Sequence, residues 1–358
     1  WEHIKHKPLF SQIERLQREI RKAEKKDISD RAYIKQQKDE LQKLLEEKEK
    51  RYQEGTPVNT SWKVYYVYQD IVENILYSPE SQWEYSPAKA NHAILFIERY
   101  CRHSKGDFGG EPFILETWQK ALTAAAFGIV DKKTGLRKYR EVLLIVGRKN
   151  GKSTLAAAIG LYLQLGDNES GAEVYALETK KEQAKVIWME AKKMVKKSPE
   201  LLRLNKPLVA ELTAEFNESS FKPLGRDSDT LDGLNVHGAT MDEIHAWKDD
   251  NLYDVIVDGT SARRQPMVFI VTTAGTEREH IYDKKYAEAE NLINFLNDKE
   301  GYKDETLFPL VYELDDRDEW TEPDCWEKAN PGLGTIKKRD NLQQKVARAK
   351  RKSRDVKN

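Results

Sequence analysis

Cysteine is nearly absent from the 358-residue sequence, and this scarcity limits the kinds of protein that the chain can be. Its two cysteines, Cys101 and Cys325, lie far apart in the chain. They match neither a disulfide framework nor a zinc-ligand cluster, and they suit a reducing interior. We therefore expect the protein to act in a cytoplasm.

Long apolar runs are lacking as well. The sequence has no signal-peptide core and no apolar stretch long enough to cross a bilayer, so we expect no membrane association. It starts at Trp1 rather than Met, from which we expect residues upstream. The formal net charge is zero although 34% of the residues are charged, so the sum of charges indicates no partner. We find no internal repeat.

Charged residues dominate the first part of the chain. Residues 9–54 are rich in Lys, Glu, Gln and Arg, with apolar residues three and four apart on both sides of "KDISD". This pattern predicts an antiparallel helical hairpin with a narrow apolar stripe. The hairpin would pack on the main body, a neighbouring subunit or a partner, and a solvated helix pair without a specific role fits equally well. "GTPVN" ends the hairpin, and helices dense in aromatic residues follow.

Helix and strand patterns alternate from Phe113 onward. The predicted strands are 141–146, 173–178, 235–242 and 267–273, and the predicted helices are 152–164 and 181–197. Such alternation predicts an α/β fold with a parallel sheet covered by helices.

The turn between the first of these strands and its helix has the composition of a phosphate-binding loop. The window from Val146 to Ser153, "VGRKNGKS", has the length of the G-x-x-x-x-G-K-[ST] motif, although Val146 replaces the first glycine. Successive N–H groups of such a loop converge on phosphate oxygens, and Gly151 would allow a close approach. Lys152 would reach the β and γ phosphates, and the Ser153 hydroxyl would bind Mg²⁺.

Two further cations, Arg148 and Lys149, stand in this loop. One interpretation is that both are surface charges of a turn and have no role in catalysis. A guanidinium beside the γ phosphate would, however, stabilise the charge of the transition state from within the same chain. We therefore predict that the loop serves hydrolysis as well as binding, with Arg226, Arg263 and Arg264 as the next candidates for the catalytic cation.

An acidic pair follows the third predicted strand, in "NVHGATMDEIHAW". Asp242 at the strand end would hold Mg²⁺, and Glu243 would orient and deprotonate the attacking water. His245 has no second His or Cys at ligand spacing, so we predict a structural or DNA-contacting role for it rather than a metal ligand. The next strand ends in Thr272 and Thr273, whose hydroxyls would sense the γ phosphate.

A glutamine upstream of the sheet offers a way to recognise the base. In "FILETWQKALTAAAFG", Trp118 and Gln119 precede the first strand of the core. A Gln amide donates one hydrogen bond and accepts one, which matches the N7 and N6 edge of adenine.

Taken in order, "ETWQK", "VGRKNGKSTLAA", "MDEIHAW" and "VTTAG" resemble the large terminase subunits of tailed bacteriophages, ATPases that pump DNA into capsids. The resemblance covers roughly residues 60–335. It implies a P-loop ATPase fold of the ASCE type, the class with a catalytic Glu on an added central strand. It also implies that ATP and Mg²⁺ bind to this fold. Its implied site residues are catalytic Glu243, Arg148 and Lys152, metal-binding Ser153 and Asp242, the ATP-binding set Trp118, Gln119, Val146, Gly147, Arg148, Lys149, Asn150, Gly151, Lys152, Ser153 and Thr154, and a coupling motif of Thr272, Thr273, Ala274 and Gly275.

The resemblance also implies partners and a domain plan. The partners would be double-stranded DNA, a portal protein and a small terminase subunit, with a homo-oligomeric ring on the portal, a monomer in isolation and a location in the host bacterial cytoplasm. The family's RNase H-like nuclease has no counterpart before Asn358, so we expect no DNA cleavage by this chain. A DNA helicase or remodelling ATPase and a nucleotide-binding scaffold remain alternatives. The predicted segments are a charged hairpin at 1–55, a helical lead-in at 56–112, the ATPase core at 113–280, a lid or linker at 281–335 and a basic linker at 336–358.

Overall fold

A computed structural model describes most of the chain beyond the predicted hairpin. It covers residues 59–355 except 107, 179–180, 226–232, 248–249, 275–279 and 299–303, together with positions 16, 20, 35, 38, 39, 42 and 43. The predicted hairpin at 1–55 thus lies almost entirely outside the described residues. In the part of the chain that is described, no helix combines the length and apolar character that a membrane crossing requires.

The centre of the molecule is an eight-stranded, mostly parallel sheet. Its strand order is β10-β3-β9-β8-β4-β7-β6-β5, and β1 and β2 form a separate antiparallel pair. The strands are β1 (Trp83–Tyr85), β2 (Ile129–Asp131), β3 (Glu141–Ile145), β4 (Glu173–Glu178), β5 (Lys206–Pro207), β6 (Leu212–Ala214), β7 (Ser219–Gly225), β8 (Val236–Asp242), β9 (Met267–Thr272) and β10 (Leu307–Val311). Strands β3, β9 and β10 are almost wholly buried, which explains their continuous apolar sequences.

Helices cover the sheet and extend from it. The α-helices are α1 (Trp62–Ile71), α2 (Pro87–Tyr100), α3 (Thr117–Gly128), α4 (Lys152–Leu165), α5 (Lys181–Lys197), α6 (Pro199–Leu204), α7 (Asn251–Gly259), α8 (Ile281–Asp298), α9 (Trp326–Ala329) and α10 (Arg339–Asp355). A π-helical turn (Val72–Leu76) follows α1, and short 3-10 helices are Ile244–Ala246, Arg317–Thr321 and Pro323–Cys325. Helix α4 is buried along nearly its whole length, in keeping with its small and apolar residues.

The predicted strands and helices of the core are confirmed, with ends that differ by one residue at most. The sheet is nevertheless wider than the sequence indicated. Strand β10, which falls in the range predicted as a lid or linker, pairs in parallel with β3. Strands β5 and β6 add an antiparallel edge beyond β7. The sheet therefore continues past residue 280, where the predicted core ended.

Strand β8 is fully buried although it contains polar residues and a glycine. A Cβ on Gly238 would lie 2.9 Å from Cδ1 of Leu163, so the glycine allows α4 to pack closely on the sheet. His237 Nε2 lies 2.8 Å from Oδ2 of Asp167, which also pairs with Arg137. The polar residues of β8 thus serve packing and buried pairing.

The order of the central strands brings the predicted site residues together. Strand β9 lies between β3, which precedes the phosphate-binding loop, and β8, which ends at the acidic pair. Because the carboxyl ends of parallel strands meet at one edge of the sheet, the three strand ends are neighbours. Glu243 directly follows the last residue of β8, Asp242. Its position next to β9 comes from the pairing of Asp242 with Val271.

Candidate active site

The loop between β3 and α4 has the backbone geometry of an anion-binding turn. Gly151 precedes the first residue of α4 with φ 78° and ψ 16°, a left-handed conformation that favours glycine. Lys149 also has a positive φ of 69°. The free N–H groups at the start of α4 therefore face the loop, where they can bind a phosphate.

The departure from the motif at Val146 has a structural reason. Val146 is buried, and its N–H donates a 3.1 Å hydrogen bond to the Thr272 carbonyl. This position therefore continues the pairing with β9 and does not belong to the turn. Gly147 is held differently, since a Cβ there would lie 2.7 Å from Oδ1 of Asn330. No left-handed φ is needed at position 146, so valine is accommodated.

Ser153 and Asp242 meet at the mouth of this loop. The Ser153 hydroxyl donates a 2.8 Å hydrogen bond to Oδ2 of Asp242. Oδ1 of Asp242 is buried and has no hydrogen-bond partner. Burial, together with the charge of Glu243, raises the pKa of Asp242 to about 6, while Ser153 and Lys152 act in the opposite direction.

These groups fit a magnesium ion. Mg²⁺ prefers oxygen ligands and is usually held by one or two carboxylates together with substrate phosphates. An unpartnered buried carboxylate oxygen beside a hydroxyl supplies that chemistry. No cluster of three or more metal-ligating His, Cys, Asp or Glu residues occurs among the described residues. A metal here would therefore depend on Asp242, Ser153 and ligand oxygens.

Lys152 lies beside the acidic pair and is 6% exposed. Burial lowers the pKa of its ammonium group, and the charge of Arg148 acts in the same direction. The carboxylates of Glu243 and Asp242 oppose this shift. Such a desolvated cation interacts strongly with an anion, as the predicted contact with β and γ phosphates requires.

Glu243 is held in an unusual backbone conformation and in a hydrogen-bond network. Its φ of 53° and ψ of 40° turn the chain sharply after β8. Its Oε2 lies 3.0 Å from Nδ1 of His245 and accepts a 3.4 Å hydrogen bond from the Thr273 hydroxyl. The side chain is 32% exposed, so water can reach the carboxylate.

His245 is a site residue that the sequence did not reveal. Its Nδ1 lies 3.1 Å from the Thr272 hydroxyl as well as close to Glu243, and its backbone N–H also faces that hydroxyl. The histidine thus joins the acidic pair to the end of β9. The short spacing from Glu243 was the available signal, but only the turn at Glu243 directs both side chains to the same place.

The threonines at the end of β9 are both buried. Thr272 contacts the phosphate-binding loop through its carbonyl, which accepts from Val146, and contacts His245 through its hydroxyl. Ala274 is exposed, and Gly275 lies outside the described residues.

Gln119 is fully buried at the start of α3. Its Oε1 accepts from the Glu116 N–H at 3.0 Å, whereas its Nε2 is buried without a partner. That nitrogen lies 3.6 Å from the position of a Cβ on Gly151, so it faces the loop. A buried amide donor without a partner is costly unless a ligand accepts its hydrogen bond.

Other predicted residues lie less close to this centre. Trp118 is buried and packs edge-on against Tyr312 at 5.7 Å, as a core residue does. The Thr154 hydroxyl donates to Glu190 of α5 at 3.5 Å. Arg148 and Lys149 are both exposed.

Of the three alternative arginines, Arg263 and Arg264 lie among the described residues, and Arg264 is exposed. Arg263 pairs with Glu169 at 2.8 Å and donates to the carbonyls of Ser170 and Gly171, so it serves the fold. Arg226 lies outside the described residues.

The fold and this arrangement define an ASCE-type P-loop ATPase. Comparison with known proteins shows a similarity to one family: residues 117–291 match the family described as "Terminase large subunit, ATPase domain". The match runs from the start of α3 into α8 and so covers the central part of the chain.

Individual relatives agree with the family match. The terminase large subunit of Enterobacteria phage HK97 is 25% identical over 268 residues, which are 74% of this chain and 50% of that protein. Protein YmfN of Escherichia coli K12 is 38% identical over 124 residues, 34% of this chain and 26% of YmfN. The crystal structure of the HK97 bacteriophage large terminase has the same fold, with a TM-score of 0.60 and 24% identity over 73% of this chain and 52% of that one. The chain thus spans about half or less of the length of these relatives.

Proposed function

We propose that this chain is the ATP-hydrolysing motor portion of a viral terminase large subunit, which moves double-stranded DNA into a procapsid. The observation that carries the proposal is the contact between Ser153 and Asp242, with Glu243 beside it, at the mouth of the phosphate-binding loop. The match of residues 117–291 to the terminase ATPase family supports DNA as the substrate that is moved.

In this proposal the loop binds the polyphosphate. The N–H groups at the start of α4 and the Lys152 ammonium contact the β and γ phosphates. Ser153 and Asp242 would hold Mg²⁺, whose positive charge would neutralise negative charge on the phosphate oxygens. Gln119 donates to adenine through the Nε2 that has no protein partner. Packing and hydrogen bonds from further residues support the pocket, namely Trp118, Val146, Gly147, Asn150 and Thr154.

Hydrolysis then depends on Glu243. Its partly exposed carboxylate accepts a proton from the attacking water, and His245 with Thr273 keeps it in place. Arg148 is exposed in the isolated chain and would turn toward the γ phosphate in the assembled motor. Thr272 and Thr273, with the adjoining Ala274 and Gly275, would pass the loss of that phosphate to β9, since Thr272 contacts both His245 and Val146.

The partners follow from the same function. We propose a portal protein and a small terminase subunit as protein partners, a ring of copies on the portal, a monomer in isolation and a place in the host bacterial cytoplasm. The hairpin at 1–55 and the lead-in at 56–112 would flank the ATPase core, and the lid at 281–335 and basic linker at 336–358 would lead toward a nuclease domain. No nuclease activity is expected of this chain itself.

ATPase assays with and without DNA test this function. A packaging motor should hydrolyse ATP faster with duplex DNA, a helicase or remodeller should respond to single strands or forks, and a nucleotide-binding scaffold should respond to neither. Lys152→Ala should lose turnover because a cation that contacts the transferred phosphoryl group is removed, a loss of at least ~2 kcal/mol. Equal turnover of the variant and the wild type would exclude the P-loop mechanism.

Duplex binding by the isolated chain should be weak and independent of sequence. Contacts between dispersed Lys or Arg side chains and phosphates should make this binding fall steeply with salt. Titrations at two salt concentrations measure it, and a tight complex that resists salt would contradict the proposal.

A further inference from the structure

A segment far along the chain lies directly on the phosphate-binding loop. Residues 329–337 are here called the cover segment. They begin with the last residue of α9 and end shortly before α10. The Gly147 N–H donates to the Ala329 carbonyl at 3.2 Å, and Asn150 Nδ2 donates to Oδ1 of Asn330 at 3.2 Å. The Gly332 N–H donates to Oδ1 of Asn150 at 3.1 Å. Since Asn150 is fully buried, the loop and the cover segment form one packed unit.

A buried ion cluster fixes the cover segment to the body of the protein. Lys328, the residue just before it, is fully buried and pairs with Glu319 at 2.7 Å and Asp315 at 3.0 Å. Asp315 in turn accepts a hydrogen bond from the Trp62 N–H at the start of α1. Breaking such a buried pair is costly, so the segment is held in place above the loop.

Ile336 presents an apolar side chain to the region that Gln119 faces. It is 38% exposed, which is high for an isoleucine, and its Cδ1 lies 3.5 Å from the position of a Cβ on Gly151. The unpartnered Nε2 of Gln119 lies 3.6 Å from the same point. An apolar surface beside a buried polar donor suits a planar heterocycle, which has an apolar face and a polar edge.

Lys337 brings a second ammonium group toward the loop. It is partly buried, and its Nζ donates to Oδ1 of Asn330. Burial lowers the pKa of Lys337, and the positive charges of Lys345 and Lys152 lower it further. The same Oδ1 of Asn330 accepts from Asn150 of the loop, so the Lys337 ammonium lies beside the phosphate-binding loop. A polyphosphate bound there would relieve the repulsion between Lys337 and Lys152.

We propose that the cover segment is the second wall of the nucleotide pocket, in which Lys337 binds phosphate oxygens and Ile336 packs against the base. This inference rests on the proposed ATPase function and adds two ligand-contacting residues to it. It also changes the role expected of Lys337, which the sequence placed in a basic linker. Asn150 and Asn330 are positioning residues, because they hold the wall against the loop.

Nucleotide binding by matched lysine variants tests the phosphate contact. We expect Lys337→Ala to weaken ADP and ATP binding about tenfold, as the loss of one charge-assisted hydrogen bond predicts. Lys338→Ala is the matched control, since Lys338 is the exposed neighbour. Titration with a fluorescent ADP analogue gives the dissociation constants. Equal affinities of the two variants would overturn the role of Lys337.

Competition with tripolyphosphate separates the two contacts. Lys337→Ala should weaken tripolyphosphate binding as much as it weakens ATP binding. Ile336→Ala should leave tripolyphosphate binding unchanged and weaken ADP binding about fivefold, because only ADP carries a base. Loss of tripolyphosphate affinity in Ile336→Ala would show that the substitution distorts the loop, and it would overturn the base contact.

Chemical acetylation of lysines in the wild-type protein tests the phosphate contact without any substitution. ADP should slow acetylation of Lys337 severalfold and leave that of Lys338 unchanged, as measured by mass spectrometry of the peptides. Equal acetylation of Lys337 with and without bound ADP would overturn the inference. If the wild type hydrolyses ATP but ADP does not slow the acetylation of Lys337, only this inference fails. If the wild type binds no nucleotide, the proposed function fails with it.

Discussion

The Ser153 hydroxyl donates a 2.8 Å hydrogen bond to Asp242, a residue 89 positions further along the chain. The bond joins the first turn of α4 to the end of β8. It satisfies one carboxylate oxygen of Asp242 and leaves the other buried without a partner. The site therefore contains an acidic group whose burial opposes its charge.

Replacing Asp242 by Asn should stabilise the nucleotide-free protein at neutral pH. Burial raises the pKa of Asp242 from 3.8 to about 6. This carboxyl therefore contributes stability that is complete below pH 3.8 and is lost as the pH rises through 6, after which the buried charge costs up to about 3 kcal/mol. We expect urea unfolding at pH 8, without metal or nucleotide, to give Asp242→Asn a free energy of unfolding about 1 to 2 kcal/mol above wild type.

The same comparison at pH 5 provides the check on that prediction. The advantage of Asp242→Asn should shrink there because the wild-type carboxyl is largely protonated. Asp254→Asn, an exposed substitution in the first turn of α7, should change the free energy of unfolding by the same small amount at both pH values. A variant that is less stable than wild type at pH 8 would contradict the assigned cost of the buried charge.

Glu243→Gln should separate binding from hydrolysis. Ser153 and Asp242 remain to hold the metal, so the affinity for Mg-ATP should be retained, whereas the base that takes the proton of water is lost. We expect single-turnover hydrolysis to fall by about 10² to 10⁴-fold. Titration on the same preparation supplies the control. Loss of ATP binding in the variant alone would mean that Glu243 binds rather than catalyses.

His245→Ala should lower kcat about tenfold and leave KM nearly unchanged, because Glu243 loses the group that keeps its carboxylate in position. His245→Asn should recover part of the rate, since an amide can donate to the same carboxylate oxygen. Steady-state kinetics give both constants. If His245 were merely structural, both variants would lower the melting temperature and Asn would give no kinetic rescue.

Arg148→Ala should keep most of the nucleotide affinity and lower kcat by about 10³-fold under conditions in which the motor is assembled. Arg148 is exposed in the single chain, so the effect should be far smaller without assembly. Arg148→Lys should recover little, because an ammonium group lacks the planar fork of guanidinium. Wild-type turnover by assembled Arg148→Ala would assign the catalytic cation to another residue.

Local sequence was sufficient to predict the central strands and the phosphate-binding loop. Strand β3 is a continuous apolar run, and the following loop must break it with small and polar residues before α4 begins. The ends of β8 at Asp242 and of β9 at Thr272 were likewise predicted to within one residue, although β8 is not a continuous apolar run. These properties depend on residues within a few positions of each other.

Other parts of the site came only from long-range packing. Nothing near Asn150 indicates that its amide bonds to Asn330 and Gly332, 180 and 182 residues later. Strand β10 lies next to β3 because its apolar face completes the sheet, although the segment before it is charged.

The sequence by itself thus determined the chemistry of the phosphate-binding loop and of the acidic pair, since residue type and spacing establish which groups can donate, accept or carry charge. The tertiary structure decided which of those groups meet. In the tertiary structure β9 lies between β3 and β8, His245 contacts Glu243, and the cover segment packs against the loop. The reason is physical: strand order, a left-handed turn and the burial of Lys328 with its carboxylates each depend on contacts between residues distant in sequence.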